Sequence, residues 1–126
     1  MFDDLPKRLR WGNITVEPQA IRVWRNGDPV YLTFRKFQIL LFLLQNPHRV
    51  LTREEIAGFV QRQERSGKLG GSKPIDGRTI DAHVAEIRRR LGRGIIRTVR
   101  RVGYRLGDPA EETLMDDNPE TSMIAP

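Results

Sequence analysis

The stretch from Arg78 to Leu106 constrains the fold more than any other part of the chain. Ile80, Val84, Ile87 and Leu91 recur at i, i+4, i+7 and i+11, which places them on one face of a helix. That face has to be buried. The opposite face then carries Thr79, Ala82, His83, Glu86, Arg89, Arg90 and Arg93. Gly92 follows the stripe and is placed to end the helix in the left-handed conformation. Beyond it, 95–99 and 103–106 read as two short strands turning through Arg100, Arg101 and Val102. A helix held by four apolar residues, with a basic outer face and an arginine-tipped hairpin beside it, suits a polyanion.

Charge sharpens this. The net charge is +6, but its distribution says more than its sum. Between residues 78 and 106, nine arginines meet only Asp81 and Glu86. Residues 108–126 carry six acids and no Lys or Arg. The central block is an electrostatic footprint for a polyanion. A solvated helix face laced with ion pairs would show more acids than Glu86, which alone can neutralise Arg89 and Arg90. The stretch 108–126, with three prolines, reads as a disordered acidic tail that either competes with nucleic acid for the basic face or, the preferred reading, aids solubility.

Enzymatic chemistry finds little support. His48 and His83 are the only histidines and lie on different elements, and the chain has no cysteine. No metal-ligand cluster, phosphate-binding glycine motif or activated nucleophile is recognisable. The expectation is therefore no enzyme, no cofactor and no metal. The lack of cysteine suits a reducing cytoplasm. The longest apolar run, 39–44, is too short for a bilayer, and the N-terminus lacks a signal peptide's pattern. A cytoplasmic, nucleoid-associated protein with no membrane partner is expected.

The remaining elements form a scaffold. Residues 1–8 read as a flexible lead. Ile14 and Val16, then Ile21 and Val23, alternate with polar neighbours, and Asn26-Gly27 between 20–25 and 28–32 signals a hairpin. Three or four antiparallel strands are expected there, with Trp11 and Trp24 as packing residues. Thr33 caps a first helix whose core stripe is Phe37, Leu40, Leu41 and Leu44, and Asn46-Pro47 ends it. Arg35 and Lys36 oppose that helix's dipole. Thr52-Arg53-Glu54-Glu55 is a capping box opening a second helix with Ile56, Phe59 and Val60 apolar. The basic, glycine-rich segment 61–77 reads as an extended mobile loop whose first residues can extend the helix. One α+β domain over 9–107 results.

Four blocks in this order are recognisable: Leu32-Thr33 through Phe37, Val50 through Ile56, Arg78 through Leu91, and Ile96 through Leu106. Together they resemble the OmpR/PhoB-type winged-helix DNA-binding domain, the effector half of many bacterial two-component response regulators. The resemblance covers about Leu9 to Leu106. It implies an α+β winged helix-turn-helix: an N-terminal antiparallel sheet, three helices and a C-terminal hairpin wing. It implies the third helix in the major groove of double-stranded DNA and a wing arginine in the minor groove. It also implies tandem homodimers on direct repeats, and an RNA polymerase contact through 61–77.

On that mapping His83, Glu86, Arg88 and Arg89 lie on the groove-reading stretch, and Thr98 and Arg100 on the wing. Arg78, Thr79, Arg90, Arg93 and Arg101 complete the expected DNA-contacting set, with Thr79 and Thr98 as phosphate donors. Glu86 stands where relatives often carry a base, and Arg101 where the wing turn usually has glycine. The loop 61–77 is longer than usual, and too few residues precede the first strand to form a receiver domain. Two other readings stay open: a nonspecific basic nucleic-acid-binding protein, and a winged-helix protein-interaction module.

Overall fold

A computed structural model describes residues 5–66 and 75–108. Four short strands open it: β1 (Leu9–Trp11), β2 (Ile14–Glu17), β3 (Arg22–Arg25) and β4 (Asp28–Val30), paired antiparallel in sequence order. Asn26 and Gly27 both have positive φ, 53° and 82°, as a two-residue turn matched to strand twist requires. Ile14, Val16 and Val23 point to the core while their neighbours remain partly or fully exposed. Ile21 does not continue that alternation: it lies in the turn before β3 with φ 54° and is exposed. The expected lead is shorter than eight residues. Leu5 packs against the core and Arg8 pairs with Glu17 at 2.8 Å. Residues 1–4 lie outside the described residues.

Helix α1 (Phe34–Gln45) packs against α2 (Arg53–Ser66) and α3 (Gly77–Leu91). The single stripe expected for it understates its burial. Gln38, Ile39 and Leu43 are buried beside Phe37, Leu40 and Leu41, because α1 is covered from several sides. Leu44 is only partly buried. Thr33 takes the N-cap position without a side-chain cap bond; its hydroxyl instead accepts from Lys36 Nζ at 3.3 Å.

The capping box of α2 forms as the sequence indicates. Glu55 N donates to Thr52 Oγ1, and Thr52 N donates to Glu55 Oε1, both at 3.0 Å. Thr52→Ala is expected to lower stability by about 1 kcal/mol in chemical denaturation, with the helix content of the native state unchanged. Ile56 and Val60 are buried, and Phe59 stacks on Phe42 with ring centroids 4.2 Å apart. The expected loop 61–77 is shorter at both ends: 61–66 continue α2, Ile75 is buried and Gly77 begins α3. The rest of that loop, 67–74, and 109–126 of the expected tail lie outside the described residues.

The wing is more than a hairpin. Strand β5 (Leu51–Thr52) pairs with β7 (Gly103–Leu106), which pairs with β6 (Ile96–Val99), giving a three-stranded sheet in the order β5-β7-β6. Ile95 belongs to a 3-10 turn, Arg93–Ile95, rather than to the strand. A side chain at Gly103 would overlap the Leu51 carbonyl oxygen, so β5 and β7 can approach only at a glycine. Gly107 N donates to Ile95 O at 2.8 Å, and Trp11 Nε1 donates to Gly107 O, tying the wing's root to the first sheet. No helix among the described residues is long and apolar enough to cross a membrane.

Candidate nucleic-acid interface

Helix α3 is seated by the four apolar residues its spacing singles out. Ile80, Val84, Ile87 and Leu91 are all fully buried. The helix starts at Gly77 rather than Arg78 because Asp76 is the cap: its carboxylate accepts from Thr79 N at 2.9 Å and from Thr79 Oγ1 at 2.9 Å. The Thr79 hydroxyl is thus already engaged. At the other end Gly92 has φ 106° and ψ 147°, a conformation open to glycine but not the left-handed helical one expected. Gly92 N still donates to Arg88 O at 2.8 Å.

With its inner face fixed, α3 turns two flanks toward neighbours. One faces the wing. Arg88 Nε donates to Ile96 O at 2.9 Å and Arg88 Nη2 to Thr98 Oγ1 at 2.8 Å. Arg88 also lies over the Tyr104 ring, 5.7 Å from its centroid. Arg88 and Thr98, both expected as DNA contacts, therefore meet each other. In this geometry Arg88 holds the wing against the helix.

The other flank faces the start of α1. His83 is half-buried, and burial together with Lys36 and Arg35 pushes its pKa below the ordinary 6.5, so the ring is neutral at pH 7. Its Nε2 is buried without a hydrogen-bond partner among the described residues. Glu86 sits between two bases, accepting from Arg90 Nε at 2.8 Å and pairing with Arg89 Nη1 at 2.9 Å. The Arg90 hydrogen bond, then the charges of Arg89, Arg90 and Lys36, hold its carboxyl below the usual range. Surface pairs of this kind are screened by solvent and stabilise the fold little. Arg78, Arg93, Arg100 and Arg101 are exposed. Arg101 has φ 66°, and Val102 N donates to Val99 O at 3.0 Å, so the wing turn keeps a left-handed residue without glycine.

One cluster escapes sequence reasoning. Asp81 accepts from Arg53 Nε at 2.7 Å and from the Tyr104 hydroxyl, joining α2, α3 and β7 at one carboxylate. Arg53 also lies 5.4 Å from the Tyr104 ring centroid. Tyr104 is buried as a packing residue, and burial, then Asp81, raises its pKa. The Tyr104 bond, then Arg53, keeps Asp81 ionised below the usual carboxylate range. No local spacing marks this cluster, because its partners are 23 and 28 residues from Asp81.

These shifts fix the acid limb of stability. A lowered carboxylate pKa means that stability is present above the unfolded value, near 3.9, and is lost as pH falls through the folded one. His83 acts earlier. The unfolded chain takes up its proton near pH 6.5 while the folded chain resists, so stability starts to fall below that pH. Urea midpoints from pH 8 to 3 are expected to show two declines. His83→Gln removes the upper one and Asp81→Asn reduces the lower.

This geometry has close counterparts. Residues 27–106 match the family described as "Transcriptional regulatory protein, C terminal". The chain is 38% identical over 102 residues to the regulatory protein VanRB of Enterococcus faecalis, covering 81% of this chain and 43% of that protein. It is 32% identical over 103 residues to the response regulator PmrA of Pseudomonas aeruginosa, covering 82% of this chain and 43% of that protein. The chain thus spans less than half the length of these relatives. Among solved structures, the AdeR DNA-binding domain in complex with an intercistronic region matches with TM-score 0.64 and 27% identity, over 79% of this chain and 99% of that one. The DNA-binding domain of CadC from E. coli matches with TM-score 0.65 and 26% identity, over 81% and 92%. The family match over 27–106, the 38% identity to VanRB and the fold shared with the AdeR DNA-binding domain agree, and this chain belongs to the OmpR/PhoB-type family of transcriptional regulatory C-terminal domains.

Proposed function

We propose that this chain binds double-stranded DNA with sequence preference and serves as a transcriptional regulator, with α3 in the major groove and the wing in the adjacent minor groove. The observation that carries this reading is the Arg88–Thr98 bond of 2.8 Å, which sets the exposed bases of α3 beside the wing that carries Arg100 and Arg101. Guanidinium–phosphate contacts supply affinity without sequence choice, whereas base edges supply the choice. The reading set is Arg89, Arg90, His83 and Glu86, with about 1–3 kcal/mol of discrimination for each good bidentate pair. Glu86 in its two ion pairs can pass an arginine to a guanine or accept from a cytosine amino group.

The same reading includes tandem homodimers on direct repeats, a polymerase contact through the segment that joins α2 to α3, and a cytoplasmic, nucleoid-bound location. It assigns no catalytic role. The experiment is a binding selection on sheared genomic DNA against random duplex at moderate salt. Enrichment of a common motif is the expected outcome; equal retention of random sequence would sink the specific-regulator reading. A protein-interaction module remains the second reading, favoured by the neutralisation of Arg89 and Arg90 by Glu86.

A further inference from the structure

Beside the C-terminal half of α3 lies an open cleft of about 580 Å³ lined by Arg25, Ala85, Arg88, Arg89, Gly92 and Arg93. Four of its six lining residues are arginines and none is an acid. Three of the arginines belong to the region already assigned to DNA. Arg25 does not: it is the last residue of β3, in the first sheet. We propose that Arg25 joins Arg89 and Arg93 in clamping a backbone phosphate of duplex DNA, extending the interface from α3 onto the N-terminal sheet. This rests on the DNA-binding reading above.

Several features fit the cleft to that role. The backbone of Arg25 is fixed by its pairing with Ile14 and Asp28. The turn that follows is pinned to the sheet as well: Asn26 N donates to Asn13 O at 2.9 Å, and Asn13 Nδ2 donates to Asn26 Oδ1 at 3.0 Å. With that backbone fixed, only the side chain of Arg25 has to be ordered on binding. Ala85 and Gly92, having little or no side chain, leave room between the bases. Arg88 adds charge but has its donors turned to Ile96 and Thr98. Among the described residues Arg89 is held by the exposed pair with Glu86, and Arg93 is exposed on the 3-10 turn. The C-terminal end of α3 carries roughly half a negative charge, which the arginines lining the cleft outweigh. Planar guanidiniums match phosphate oxygens in pairs, and an open cleft admits a continuous strand as an enclosed pocket would not.

The test uses the full chain and fluorescence anisotropy on a labelled preferred duplex and a labelled random duplex, over a range of salt. Arg25→Gln is expected to weaken both duplexes by the same factor, roughly 3- to 10-fold, and to flatten the slope of log K against log salt by roughly 0.9. Arg25→Lys is expected to keep the slope. Circular dichroism checks that each variant is folded. Should Arg25→Gln fail to fold, Arg93→Gln is read in its place, with the same loss expected and an unchanged slope overturning the clamp. If Arg25→Gln keeps affinity and slope while Arg89→Gln loses them, the clamp is wrong and the DNA-binding reading stands. If the wild-type chain binds no duplex, both fall. A titration with inorganic phosphate separates the remaining source of the same chemistry. Arg25-dependent saturation without DNA, combined with unchanged duplex affinity in Arg25→Gln, assigns the cleft to a free anion and overturns the proposal.

Discussion

Gly103→Ala is expected to lower stability by on the order of 3 kcal/mol, enough to move the melting temperature of a domain this size by well over ~10 °C. The added methyl would overlap the Leu51 carbonyl oxygen and come within 2.9 Å of the Leu51 carbonyl carbon and of Thr52 Cα. All three are backbone atoms of β5, so no side-chain rotation relieves the clash. The only escape is separation of β5 from β7, which also pulls Thr52 away from the capping box of α2. Gly27→Ala is the matched control. Gly27 has φ +82° but nothing within 4 Å of a new Cβ, so its cost is conformational alone, about 1 kcal/mol. A thermal melt of the two variants separates lack of space from backbone strain. Equal melting temperatures would contradict the tight β5–β7 approach.

The second large effect is on binding. Arg100→Ala with Arg101→Ala is expected to reduce affinity for the preferred duplex roughly 10- to 100-fold, or about 1.4–2.8 kcal/mol. The salt dependence should flatten by roughly 0.9 for each phosphate that the variant no longer neutralises. Both residues are exposed and Arg101 keeps a Cβ in the alanine variant, so the melting temperature should hardly change. Arg101→Gly adds a contrast of opposite sign. Its φ of 66° suits glycine, so that variant gains up to about 1 kcal/mol of stability while losing affinity. Unchanged DNA affinity in the double variant would favour the protein-interaction reading.

Most of the scaffold was legible because it is written in local patterns. The spacing of Ile80, Val84, Ile87 and Leu91 identified the buried face of α3, and all four are fully buried. Asn26-Gly27 marked the turn between β3 and β4, and Thr52 with Glu55 marked the start of α2. What escaped depends on residues far apart in sequence. Strand β5 is two residues long and has no pattern of its own; it exists because β7 lies beside it. Arg53, Asp81 and Tyr104 are ordinary residues until three elements meet. The arginines show the limit most clearly. Arg88, Arg89 and Arg90 are adjacent and identical in kind, yet the first holds the wing and the other two flank Glu86. Composition cannot tell which arginine turns to the wing; the 100° step between neighbours on a helix does, once the wing's position is known.

The bond from Trp11 to Gly107 spans 96 residues of chain. Closing so long a loop costs chain entropy before any contact repays it, whereas the helices and the β3–β4 turn close early and locally. During synthesis, Trp11 waits for nearly the whole domain to emerge before it has a partner, and so does β5, whose partner strand begins at Gly103. The hairpin beside α3 is thus the last piece to dock. A chain that ends short of it lacks both Ile96, Tyr104 and Leu106 of the common core and the assembled surface that this chain is proposed to set against DNA.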